Sequence, residues 1–91
     1  MSSIEKVVEK IAEIAQHRKN TTASEIDWVI DHLKQHGFDV RTPRKTRHGV
    51  LYGIADQRFQ ICIHNPGNKQ VKVCYVDDFL DAMAELGLYE G

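Results

Sequence analysis

The sequence predicts an α+β domain of element order α-α-β-β-β-β-α, with the helices packed on one face of a three- to four-stranded antiparallel sheet. Three observations carry this. Apolar residues recur at three- and four-residue steps from Ile4 to Ala15, and again from Ile26 to Leu33. From Phe38 the period falls to two and holds through Tyr75, the spacing of strands with one buried face. Helical spacing then returns at Phe79, Leu80, Met83 and Leu86.

The first helix starts at once, because Ser2 and Glu5 have the spacing of a capping box. Ile4, Val7, Val8, Ile11, Ile14 and Ala15 form its apolar stripe, and Glu5, Lys6, Glu9, Lys10 and Glu13 fill the other side. It runs to about His17, a position the helix dipole favours for a cation. Thr22 and Glu25 repeat the capping box before Ile26, Val29, Ile30 and Leu33, with Trp28 on the flank. Gly37 is the expected left-handed C-cap, and Phe38 folds back onto the last turn.

Phe38 to Arg41 reads as a short first strand that ends at Pro43, which has no N–H for a sheet ladder. Thr42 through Gly49 is then a loop. Val50 to Ile54 and Phe59 to His64 are the next strands, joined by the four residues 55–58, and Gln70 to Tyr75 is the last. Pairing Ile54 with Phe59 and Ile63 with Val71 places one apolar set on one face, which a one-residue slip would scatter. Leu51, Gln60, Cys62, His64, Lys72 and Cys74 fall on the other face. Asp77 or Asp78 caps the final helix, which Gly87 ends.

A chain of 91 residues suits one domain spanning 1–91 and not two. The composition, 42% hydrophobic and 27% charged, is that of an ordinary globular protein. Without an apolar run of about 20 residues or a signal pattern, the expected address is the cytoplasm, with no membrane partner. Cys62 and Cys74 lack metal-ligand spacing and read as reduced packing residues. No cofactor is expected.

The formal net charge is −1, yet its distribution is uneven. Arg41, Arg44, Lys45 and Arg47 fall in seven residues that contain no acid. Asp77, Asp78, Asp81, Glu85 and Glu90 occupy the last sixteen residues, which contain no base. Arginine and lysine interleaved with Thr42 and Thr46 can bind phosphates through charge and hydroxyl hydrogen bonds. His64 and Lys72, on the non-core face, extend this candidate surface.

Among the five histidines, His32 and His36 share one helix face, but no further ligand completes a metal motif, so no metal site is expected. The register sets His64 opposite Gly49, one residue from His48. Two imidazoles beside arginines offer an acid and a base for phosphodiester cleavage, or hydrogen-bond donors to a nucleic-acid backbone.

From the second helix onward, about two-thirds of the chain resembles the HicA-type toxins, small bacterial mRNA interferases with a double-stranded-RNA-binding-domain-like fold. Leu33-Lys-Gln-His-Gly37-Phe38 is similar to that family's helix end. Lys45-Thr-Arg-His48 stands where the family has lysine-glycine-serine-histidine, and Ile63-His64-Asn-Pro66 and Asp78 through Leu88 resemble its histidine-proline strand end and last helix. The resemblance implies RNA as ligand, endoribonuclease activity, and His48 as the catalytic histidine. Thr46 and Arg47 depart from the family's glycine-serine pair, Gly49 from the polar or apolar residue that follows, and residues 2–17 are additional.

The leading expectation is therefore a nucleic-acid-binding domain, RNA preferred, using Arg41, Arg44, Lys45, Arg47, His64 and Lys72. Its rival is a protein-interaction module, such as a small inhibitor, immunity factor or phage-encoded antagonist. The near-zero net charge and the acidic last helix motivate that rival. A winged-helix reading ranks last, because Glu25, Asp27 and Asp31 would repel phosphates from the reading helix.

Overall fold

The two apolar stripes at the start of the chain become α1 (Ser3–Gln16) and α2 (Ala23–Gln35), joined by a single 3-10 turn at Arg18–Asn20. A computed structural model describes residues 3–47, 49–65 and 70–89, the side chains of residues 3 and 63–65 excepted. Five strands and a third helix follow: β1 (Arg44–Thr46), β2 (Gly49–Ile54), β3 (Gln57–Ile61), β4 (Ile63–Asn65), β5 (Gln70–Val71) and α3 (Val73–Glu85). The architecture is α+β. Strands β1, β2 and β3 form an antiparallel sheet in that order, and β4 pairs with β5 in a separate ribbon.

Val7, Ile11 and Ile14 of α1 are fully buried, as are Ile26, Val29 and Leu33 of α2. They join Tyr52, Ile54, Phe59 and Ile61 of the sheet and Val76, Phe79 and Met83 of α3 in one core cluster. Val8 sits at the margin of its stripe and stays 40% exposed. Phe79 meets Phe59 edge to face at 5.5 Å, an arrangement that adds to the burial of both rings. Thr21, the buried polar residue of the connector, donates its hydroxyl to the His17 carbonyl at 3.3 Å. The Val71 amide bonds the Thr21 carbonyl at 2.8 Å, which ties β5 to the helical layer.

Helices α2 and α3 stop in the same way. Gly37 and Gly87 have φ of +89° and +79°. The Phe38 amide bonds the Leu33 carbonyl and the Gly37 amide that of Lys34, and Leu88 and Gly87 repeat this with Met83 and Ala84. This is the Schellman pattern, which satisfies carbonyls left open at a helix end. The expected capping box at α2 does not form. Thr22 makes no side-chain cap bond, and the Glu25 carboxylate turns instead to His17 Nε2 at 2.8 Å.

The strand boundaries move from those predicted, for identifiable reasons. Ala55, with φ of +54°, turns the β2–β3 hairpin in two residues rather than four, so Ile54 faces Gln57 and Tyr52 faces Phe59. The register shifts by two, and a shift of two leaves every side chain on its expected face. Ile63 does face Val71. Beyond it, Val73, Cys74 and Tyr75 belong to α3, not to a strand ending at Tyr75, and the helix starts before Asp77. Their alternation mimics a strand, but Val76, Phe79, Leu80 and Met83 carry the burial and extend the helical turn back to Val73. Cys74 is consequently exposed rather than a packing residue, and Cys62 is buried.

The segment 38–49 also differs from its expected strand and loop. Val40 makes only an isolated bridge to Ile54, and the continuous strand is β1, inside the predicted loop. Pro43 interrupts the pairing without ending it, as an edge position allows.

Candidate functional site

β1 is short, basic and exposed along its length, and it lies on the edge of the sheet. Its register with β2 decides where the charges point. Arg44 is opposite Leu51 and Thr46 opposite Gly49. Upstream, the Arg41 amide bonds the Gly53 carbonyl at 2.9 Å, next to the Val40–Ile54 bridge. Three steps along the edge strand, 41 to 44, therefore match two steps along β2, 53 to 51. One residue is extra, and it lies at Thr42 or Pro43. In a regular strand, residues three apart face opposite sides. The bulge re-aims the chain so that Arg41 and Arg44 share the outer face, away from the core.

Arg58 is opposite Gly53 on the far side of β2 and joins the same face. The four-residue loop that the sequence predicts takes in Arg58; the two-residue turn puts it in a strand. The Arg41 side chain lies across Gly53. A Cβ on Gly53 would stand 3.0 Å from Arg41 Nη1 and 3.3 Å from Arg41 Cδ. Arg41, Thr42, Arg44, Leu51, Tyr52, Gly53 and Arg58 line a depression of about 260 Å³. Among the described residues, these arginines, Lys45 and Arg47 make no salt bridge or side-chain hydrogen bond, whereas Arg18 pairs with Asp77 at 3.2 Å.

The other end of the outer face is neutral. Gln60 Nε2 donates to Thr46 Oγ1 at 3.0 Å, and Thr46 Oγ1 donates to the Gly49 carbonyl at 3.2 Å. A Cβ on Gly49 would overlap the Ile61 carbonyl oxygen and come within 2.9 Å of Cys62 Sγ, so only glycine lets the strands close there. A hydrogen bond to Cys62 pushes the Tyr75 hydroxyl above the usual tyrosine range.

The sequence-derived candidates do not all meet. Arg41 and Arg44 converge, Lys45 lies opposite Val50 and projects to the other side of the strand, and Arg47 stands exposed in the turn. Lys72 is the N-cap of α3 and lines a separate depression with Lys19, Gln70 and Cys74. His48 lies outside the described residues. The expected opposition of His64 and Gly49 is overturned by the register, since Gly49 packs beside Cys62 and His64 belongs to β4. The cause is the shorter hairpin turn, which moves β3 by two residues against β2.

The helix histidines are otherwise engaged. His32 stacks on Trp28 with ring centres 3.9 Å apart, and its Nδ1 bonds the Trp28 carbonyl at 2.8 Å. No group of three or more metal-ligating side chains occurs among the described residues. None of the described helices is long and apolar enough to cross a membrane. No family model, curated protein or solved structure matches the chain.

Proposed function

We propose that the chain is a nucleic-acid-binding domain that holds phosphates on the outer face and tip of the β1–β2 hairpin. One observation carries the reading. Arg41, Arg44 and Arg58 are exposed on one face and Arg47 at the hairpin tip, with no acidic partner among the described residues. Unpaired guanidinium groups at a folded surface suit phosphate oxygens, which they grip in forked geometry. The resemblance to the HicA-type toxins favours RNA over DNA and assigns His48 to catalysis of strand cleavage.

The test is binding of a short RNA followed by fluorescence anisotropy at two salt concentrations. With three or four phosphate contacts, affinity falls about 20- to 100-fold between 50 and 200 mM salt. Absence of binding at low salt removes the reading. Cleavage is assayed on the same RNA, and activity surviving in His48→Ala removes only the catalytic assignment.

A second reading has its own observation. Asp78, Asp81 and Glu85 line a depression against Gln57 and Arg58, an acidic face that suits a basic protein partner. A stoichiometric protein recovered from native lysate without nucleic acid supports this interaction module over the first reading.

A further inference from the structure

The geometry points to a subsite for a terminal phosphate monoester, formed by Arg41, Arg44 and Arg58 around Gly53; it rests on the nucleic-acid reading and names which part of that ligand is gripped. Three features of the depression lead there. The bulge between Arg41 and Arg44 spends one residue to place both guanidinium groups on one face. Gly53, between Arg41 and Arg58, presents no side chain, and the Arg41 stem already crosses it. The hydroxyl-bearing Thr42, the apolar Leu51 and Tyr52 complete the lining.

Charge then selects the ligand. At about 260 Å³, the depression is smaller than the roughly 300–1,000 Å³ of sites that enclose whole small molecules. A phosphate and its ester oxygen fit within it. Tyr52 also borders the depression, but its ring is buried and stacked on Phe59, so it gives bases no open stacking platform. A phosphodiester brings one negative charge to three cations. A phosphate monoester carries about −1.5 to −2 at pH 7 and offers three acceptor oxygens, one for each guanidinium. Arg58 also borders the acidic residues Asp78, Asp81 and Glu85 but forms no salt bridge with them, so its charge is open to the ligand.

The experiment compares single-stranded RNA decamers that end in a phosphate or a hydroxyl, at the 5′ end and separately at the 3′ end. At one end the phosphorylated form binds about tenfold tighter, the scale of one or two charge-assisted bonds. Arg41→Gln and Arg58→Gln bring that ratio to about one, whereas Arg47→Gln weakens both forms alike and keeps it. Equal binding of phosphate and hydroxyl forms at both ends overturns the subsite, while salt-dependent binding of the hydroxyl form leaves the nucleic-acid reading standing. If neither form binds, that reading falls and titration with inorganic phosphate, followed by amide NMR, decides the subsite. Shifts centred on Thr42, Leu51 and Gly53 that vanish in Arg58→Gln sustain it, and their absence overturns it.

Discussion

Tyr52 shows how one side chain couples the sheet to a helix. Its ring is buried against Phe59, with centres 5.5 Å apart, and its hydroxyl donates to Asp27 of α2 at 2.6 Å. Burial, the Asp27 bond and the charges of Asp27 and Asp31 all hold the phenol in its protonated form and raise its ionisation well above the usual range. The sign of the pH effect follows. The folded state keeps this proton where the unfolded chain, ionising near pH 10, releases it. The resulting stability is complete below about pH 10 and drains as pH rises beyond it, by at most about 1.4 kcal/mol per pH unit. Tyr52→Phe removes the bond but keeps the ring, and Asp27 is exposed enough to regain water, so the loss at pH 7 is about 1 kcal/mol. Urea denaturation of both proteins at pH 7, 9 and 10.5 tests this: the gap narrows above pH 10, and a constant gap sinks the account.

The turn at Ala55 is the element on which the register depends. An L-residue in the left-handed region costs about 1–2 kcal/mol, and glycine loses about 0.5–1 kcal/mol more backbone entropy on folding. The first effect wins, so Ala55→Gly stabilises by about 0.5 kcal/mol, or roughly 2–4 °C in melting temperature. A lower melting temperature would mean that Ala55 is not strained. This residue also explains what the sequence concealed. Alanine carries no turn signal, so the sequence predicts a four-residue loop that takes in Arg58, where the chain forms a two-residue turn. The apolar pattern of Tyr52, Ile54, Phe59 and Ile61 still identified the buried face, because burial depends on parity and not on the partner. Helix ends were legible at Gly37 and Gly87, where backbone conformation demands a residue type. The start of α3 was not, since Val71, Val73 and Tyr75 satisfy both periods over so short a stretch. The basic cluster was visible as composition, whereas the bulge that aims Arg41 and Arg44 to one side arises from pairing with β2.

At the scale of the whole molecule, the charges divide into a basic hairpin face and an acidic α3 face that meet at Arg58. Asp78, Asp81 and Glu85 are exposed and border that arginine without pairing to it. A phosphate approaching the arginine face is therefore attracted by nearby cations and repelled by these acids at longer range. In water, a unit charge roughly 10 Å away contributes about 0.4 kcal/mol, so three of them oppose binding by about 1 kcal/mol. Replacing them together as Asp78→Asn, Asp81→Asn and Glu85→Gln should tighten RNA binding about fivefold at 10 mM salt, where the screening length is near 30 Å. At 0.15 M salt the screening length is about 8 Å and most of that gain disappears. Asp77 is left unchanged because it pairs with Arg18. Anisotropy at the two salt concentrations separates this long-range effect from a contact: a gain that persists at 0.15 M would mean that the acids hold Arg58 away from its ligand directly. An unchanged or weaker affinity at 10 mM would instead place the bound nucleic acid on a different face from the arginines, because charges beside its true path cannot be removed without effect.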